Sequence, residues 1–193
     1  MARPKEFDRE TALNAARDVF WARGYEATSV DDLVRAMGIG RQSLYDTFGG
    51  KRALYLDALG RYNAGNVADL VTLMRRAGSP VEALRRMLFA EAEMPAEQRA
   101  LGCMGVNAIC EFGQSDPDVA AARAGGALLE RALIALLADG VACGELRPAL
   151  DVRAAARFIQ CTLSGLKVSG KAGAPPAVLR DIAGFALDSL KAS

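Results

Sequence analysis

Histidine is absent from all 193 residues of the sequence. Ser-His-Asp and Cys-His catalysis need an imidazole, and so do histidine general bases and His-containing zinc sites. The four cysteines, which are Cys103, Cys110, Cys143 and Cys161, form no CxxC pattern, so they lack the spacing that is typical of cysteine metal sites. The composition therefore argues against an enzyme and predicts neither a metal nor a cofactor.

Long apolar runs are also missing. No segment approaches the roughly 18 to 20 uninterrupted apolar residues that span a bilayer, and the opening MARPKEFDRE lacks the apolar stretch of a signal peptide. We therefore expect a cytoplasmic protein with no membrane partner, whose cysteines are mostly reduced thiols. Because the net charge is only +1, any surface that binds nucleic acid must be a local patch of Lys and Arg.

Alternating strand patterns are missing as well, whereas apolar residues recur at spacings of three and four. This periodicity predicts an all-α fold. Capping residues and glycines place the first four helices at about 8–24, 29–38, 41–48 and 51–76. We expect the segment 94–102 to be a loop or a frayed turn.

The second and third predicted helices are joined by a tight glycine turn, which is the spacing of a helix-turn-helix. In that motif the later helix enters the major groove of DNA. With Leu44 and Phe48 facing inward, the outward face of the third helix carries side chains that read bases or hold phosphates: Arg41, Gln42, Ser43, Tyr45 and Asp46.

Phosphate contacts are expected at two helix starts, where free N–H groups and the helix dipole favour an anion. Lys51 begins the fourth helix, and Thr28 and Ser29 precede the second. Taken singly, such residues also fit an ordinary solvated surface. Their ordered combination favours binding to double-stranded DNA.

Residues 12–55, ALNAARDVFWARGYEATSVDDLVRAMGIGRQSLYDTFGGKRALY, resemble the DNA-binding domain of the tetracycline-repressor (TetR) family of bacterial regulators. The resemblance implies an all-helical homodimer of about nine helices, with a three-helix DNA-binding domain at 1–50 and a helical-bundle domain for effector binding and dimerisation at 51–193. It adds Thr47 to the DNA-facing set. Gln42 and Asp46 depart from the residues common in the family, which leaves the operator sequence open.

The segment 102–121 is the most suggestive piece for a ligand site. Asn107 and Glu111 lie four residues apart on one helical face among apolar side chains, and a mostly apolar pocket with a few polar anchors is the usual small-molecule site. We expect a small, largely apolar effector that touches Asn107 or Glu111 and, across the cavity, Tyr62, with Met104 and Phe112 nearby. The alternative is that these apolar residues are core packing and that Asn107 bonds backbone.

The last two predicted helices each carry a stripe of apolar and small residues, which is typical of a dimeric four-helix bundle. The expected dimer interface comprises Phe158, Thr162, Gly165, Leu166, Ile182, Phe185, Ala186 and Leu190.

These features predict a ligand-responsive transcriptional regulator, most simply a repressor released from a palindromic operator by its effector. One alternative is a DNA-binding scaffold or adaptor without an effector, and another is a regulator that senses oxidants or electrophiles through a thiol. Cys103 and Cys110 are separated by about 10 Å of helix, beyond the roughly 7 Å that a disulfide allows. A direct bridge between them is excluded while that helix is intact.

Overall fold

A computed structural model describes residues 7–113, 115–122 and 125–192. Within these ranges the regular secondary structure is helical, which confirms the all-α prediction. Nine of the helices have eight or more residues, as expected, and the two others have six. The helices are α1 Arg9–Arg23, α2 Val30–Met37, α3 Arg41–Phe48, α4 Lys51–Arg76, α5 Pro80–Glu93, α6 Ala96–Leu101, α7 Met104–Phe112, α8 Pro117–Ala122, α9 Gly126–Ala142, α10 Val152–Lys171 and α11 Pro176–Asp188.

The ends of the first helices follow the local signals in the sequence. The Asp8 side chain accepts a hydrogen bond from the backbone N–H of Thr11 at the start of α1. Ser29 and Asp32 form a reciprocal capping box at the start of α2. Gly38 ends α2 in the left-handed region, with φ of 65°. In contrast, the segment 94–102 is not wholly a loop, because α6 lies within it.

One hydrophobic core joins the first three helices to the start of α4 and to α7 and α8. The three-helix unit therefore does not pack alone. The buried residues are Ala12, Leu13, Ala16, Phe20, Leu33, Met37, Leu44, Phe48, Leu54, Tyr55, Ala58, Leu59, Met104, Ala108 and Val119.

A second core lies among the far end of α4 and helices α5, α9, α10 and α11. Leu166, Ala186 and Leu190 belong to this core and are at most 3% exposed. The prediction that these three contact a partner subunit is wrong, because α10 and α11 turn one apolar face inward and a different one outward. No helix in the described ranges is long and apolar enough to cross a membrane.

The outward faces of α10 and α11 retain the other five predicted interface residues. Phe185 is 78% exposed, and Phe158 and Ile182 are also exposed. Gly165 is exposed, whereas Thr162 is half-buried and donates to the carbonyl of Phe158. An apolar surface on both helices is thus uncovered in the single subunit.

Candidate DNA interface and ligand cavities

The outward face of α3 presents polar side chains that are paired with one another or with α2. The Arg41 guanidinium lies 2.7 Å from a carboxylate oxygen of Asp31, and both side chains are exposed. The Gln42 amide donates to Asp46 Oδ1 at 2.9 Å. Exposed pairs of this kind contribute little to stability, so a DNA duplex can replace them at small cost.

Tyr45 packs across the turn between α3 and α4. A Cβ placed on Gly50 would lie 3.3 Å from Cε1 of the Tyr45 ring, and Gly50 has φ of 116°. Glycine is therefore needed at position 50, both for this conformation and for the close approach. Ser43 and Thr47 are half-buried on the flanks of α3.

Lys51 occupies the first position of α4, just after α3. Its ammonium lies 4.2 Å from the centroid of the Tyr25 ring, a cation-π contact. Gly50, the N-cap, supplies no side-chain hydrogen bond to the first turn of α4. The positive charge and the helix N-terminus together suit a phosphate.

The structure corrects the prediction for Thr28. Its side chain is 1% exposed and its hydroxyl donates to the Gly24 carbonyl at 2.6 Å, so it stabilises the turn and does not face DNA. Ser29 is exposed, but its hydroxyl donates to Asp32 in the capping box. The hydrogen bonds from Ser29, helped by Arg23 at 3.0 Å, lower the pKa of Asp32 to about 2.

A carboxylate from α7 holds the turn between α1 and α2. Glu111 accepts hydrogen bonds from the backbone N–H groups of Tyr25 at 3.0 Å and Glu26 at 2.8 Å. A second tie joins Arg52 of α4 to Asp116 at 2.6 Å, and the hydrogen bond from Arg52 holds the pKa of Asp116 below its usual range. Charged groups as well as apolar packing therefore attach the turn between α1 and α2, and the start of α4, to the segment 111–116.

Two predicted ligand residues, Met104 and Phe112, pack in or against the first core. The ring of Phe112 lies 5.5 Å from that of Tyr25 and 5.6 Å from that of Tyr55, measured between centroids. Met104 is 2% exposed in the first core. The indole N–H of Trp21 in α1 donates to the Gly102 carbonyl at 3.0 Å.

Three concave sites lie in the part of the chain that contains the predicted pocket. We call the first, of about 770 Å³ between α1, α4 and α6, the outer cavity. The inner cavity, of about 370 Å³, lies between α4, α5, α9 and α10. A side groove of about 430 Å³ lies between α7 and α10. The outer and inner cavities share Asn66, Glu91, Met94 and Lys167.

The five predicted ligand residues do not all line one of these sites. Tyr62 lines the outer cavity, whereas Asn107 and Glu111 line the side groove. Met104 and Phe112 line none of the three. The Asn107 amide donates to the Leu101 carbonyl, which matches the alternative that it bonds backbone.

Glu91 of α5 is a polar cavity residue that sequence reasoning missed. It is 7% exposed, and its Oε1 has no hydrogen-bond partner among the described residues. Burial raises the pKa of Glu91, while Lys167 and Arg99 act in the opposite direction. The signal was its spacing, since Glu91 follows Leu84 and Leu88 on the buried face of α5.

All four cysteines are free: Cys103 is buried, and Cys110, Cys143 and Cys161 are exposed. Over the described ranges, no group of three or more Cys, Asp or Glu side chains could hold a metal ion.

Comparison with known proteins gives consistent matches along the chain. The family model described as "Bacterial regulatory proteins, tetR family" matches residues 12–58, and "Tetracyclin repressor-like, C-terminal domain" matches residues 80–183. The HTH-type transcriptional repressor ComR of Escherichia coli strain K12 is 34% identical over 188 residues, covering 96% of this chain and 90% of that protein.

Solved structures agree with the family matches. A cysteine mutant of the TetR family transcriptional regulator CifR, complexed with 26-bp operator DNA, is similar with a TM-score of 0.80 and 30% identity. The match covers 98% of this chain and 100% of that one. A TetR family regulator from Agrobacterium tumefaciens has a TM-score of 0.83 at 24% identity, over 95% and 97% of the two chains, which shows a shared fold.

Proposed function

Since the chain belongs to the tetR family of bacterial regulatory proteins, we propose that it is a cytoplasmic repressor that a small molecule releases from a palindromic operator. Members of this family are DNA-binding regulators rather than enzymes. The similarity to the repressor ComR and to CifR on its operator supports repression and operator binding.

The observation that carries this proposal is the course of α4. Its 26 residues run without a break from Lys51, beside the DNA-facing helix, to Arg76. Between these ends Tyr62 and Asn66 line the outer cavity, and Asn66 also lines the inner one. A molecule that displaces α4 at the cavities must therefore move the DNA-binding helices, because all of them share one core with α4.

Helix α7 provides a second connection in this proposal. Cys103, at its N-cap, lines the inner cavity, and Glu111 near its other end holds the turn at Tyr25 and Glu26. The effector would select one arrangement of these contacts and DNA another. Linkage then requires that operator DNA weaken effector binding by the factor by which the effector weakens DNA binding.

On the DNA side, Arg41 and Gln42 are proposed to read bases, with Tyr45, Asp46, Ser43 and Thr47 beside them. Lys51 is proposed to bind a phosphate. At Ser29 only the backbone N–H groups of the helix N-terminus are proposed to bind a phosphate, because the Ser29 hydroxyl donates to Asp32.

We further propose a homodimer through the exposed faces of α10 and α11, with Phe158, Ile182 and Phe185 at its centre. A two-fold pair would present two DNA-facing helices to successive major grooves, about 34 to 36 Å apart. The division into a DNA-binding domain at 1–50 and an effector and dimer domain at 51–193 stays part of the proposal, although the first core crosses that boundary.

The test is DNase protection on the DNA that flanks the protein's own gene. We expect a protected palindrome and weaker protection of a shuffled sequence at the same salt concentration. Protection that no small molecule relieves would favour a scaffold without an effector. Relief only by an oxidant or electrophile, and its loss in Cys103→Ser, would favour the thiol-sensing alternative.

A further inference from the structure

Glu91 lies where the outer and inner cavities meet, near the end of α5. Only 7% of the residue is exposed, and Oε1 makes no hydrogen bond within the described part of the chain. Buried carboxylates are ordinarily paired with a cation or hydrogen-bonded. The cavity thus contains an acceptor whose partner is missing from the subunit itself.

The backbone of α10 fixes the position of this carboxylate. A Cβ on Gly170 would lie 2.7 Å from Oε1 of Glu91, so a larger residue at position 170 would push the side chain away. Oε1 lies on the side of the carboxylate that α10 closes, so a ligand in the cavity that Glu91 lines would meet the carboxylate from its other side. The site is therefore shaped before any ligand arrives.

Nearby cations do not complete the site. Lys167 and Arg99 influence the pKa of Glu91 through their charge, but neither donates a hydrogen bond to Oε1 of Glu91 within the described ranges. Lys167 is half-buried and therefore also reaches water. The group that lacks a partner in the cavity is therefore the hydrogen-bond acceptor Glu91, and not the donor Lys167.

The remaining wall of the inner cavity is largely apolar and includes Leu70, Met87, Leu129 and Leu163. Its volume of about 370 Å³ suits a small organic molecule. We propose that the inner cavity binds a small, mostly apolar amine whose N–H group donates a hydrogen bond to the carboxylate of Glu91. An ammonium donor to a carboxylate makes a stronger hydrogen bond than a neutral hydroxyl does.

This inference deepens the proposed function by naming the chemical class of the effector, and it rests on that function only for the consequence at the operator. Three probes of nearly equal shape separate the chemistries: cyclohexylmethylamine, cyclohexylmethanol and cyclohexanecarboxylate. Binding of each to the DNA-free protein is measured by titration calorimetry, and far-UV circular dichroism checks that every variant is folded.

We expect the amine to bind the wild-type protein and Glu93→Gln, an exposed control on the same helix, with equal affinity. In Glu91→Gln the amine affinity should fall by about tenfold or more. Lys167→Met should raise amine affinity, because it removes a competing positive charge. The alcohol should bind more weakly and the carboxylate should not compete.

Failure to bind the amine at millimolar concentration would overturn the inference, and so would equal amine affinity in wild type and Glu91→Gln, or preferential binding of the carboxylate. Operator release by a molecule that ignores Glu91 would overturn it while leaving the proposed function intact. Amine binding that depends on Glu91 but leaves the operator complex unchanged would instead contradict the proposed repressor mechanism.

Discussion

The carboxylate of Glu111 accepts a hydrogen bond from the backbone N–H of Tyr25, a residue 86 positions earlier in the chain. The adjacent N–H of Glu26 donates to the same side chain. These two hydrogen bonds hold the turn between α1 and α2 against α7.

Glu111→Ala should therefore weaken the connection between effector and DNA. We expect the free energy of unfolding to fall by about 1 kcal/mol, because the two N–H groups then bond only to water. The effector should then lower operator affinity by a smaller factor in the variant than in the wild type. Gel shifts with and without effector measure this factor, and the exposed Glu97→Ala is the control. An unchanged effector response in Glu111→Ala would remove α7 from the mechanism.

Lys51 and Gln42 should affect DNA binding in different ways. Lys51→Ala is expected to weaken all duplexes alike and to lower the slope of log affinity against log salt by about one. Gln42→Ala should cost about 1 to 3 kcal/mol against the operator only. Arg76→Ala, at the exposed far end of α4, is the control for charge. Equal losses on operator and random DNA for Gln42→Ala would contradict base reading.

Gly50→Ala should destabilise the DNA-binding unit. The φ of 116° and the nearby Tyr45 ring leave no relaxed position for a Cβ, and such backbone strain costs about 1 to 3 kcal/mol. Gly40→Ala is the matched control, since its Cβ would meet nothing within 4 Å. Chemical denaturation of both variants tests the difference, and equal stabilities would show that the turn relaxes freely.

Phe185→Glu should yield monomers. A charge in the centre of the proposed interface must be desolvated on association, and Phe185 is 78% exposed in the subunit. Specific DNA binding should fall with dimerisation, because one half-site alone gains too little. Light scattering at micromolar concentration measures the mass, with Leu128→Glu on α9 as an exposed apolar control. A monomeric wild-type protein would contradict the proposed dimer.

Glu91 should make stability fall as pH rises. Burial raises its pKa above the ordinary value of 4.5, against the opposing charges of Lys167 and Arg99. Between the pKa of Glu91 in the unfolded chain and its raised pKa in the folded protein, the folded protein binds more protons than the unfolded chain. The free energy of unfolding therefore decreases with increasing pH in that range. Glu91→Gln should lose this dependence and be the more stable protein at neutral pH. Urea unfolding from about pH 5 to pH 8 compares the two, and parallel curves would show that Glu91 does not titrate in this range.

Local signals explain why the first four helices could be predicted. Asp8, Ser29 and Asp32 cap neighbouring backbone, and Gly38 adopts a conformation that side chains disfavour, so each acts within a few residues. The tight glycine turn between the second and third helices predicted the helix-turn-helix, and the resemblance of residues 12–55 indicated the family.

Contacts between distant segments explain what could not be predicted. The partners of Glu111 are backbone N–H groups, which carry no residue-specific pattern. The periodicity of α10 marked Phe158 and Leu166 alike as apolar, yet Leu166 faces the subunit core and Phe158 faces outward. The spacing of Glu91 indicated a buried face of α5, but the close approach of α10 at Gly170 was not visible in the sequence.

The position of Trp21 gives the molecule an intrinsic optical reporter. It is the single tryptophan of the chain, it lines the outer cavity, and its indole bonds the Gly102 carbonyl beside the Tyr62 ring. Indole emission responds to the polarity and hydrogen bonding around the ring. Light absorbed by this one side chain can therefore follow movement between α1 and the segment before α7 in the unlabelled protein.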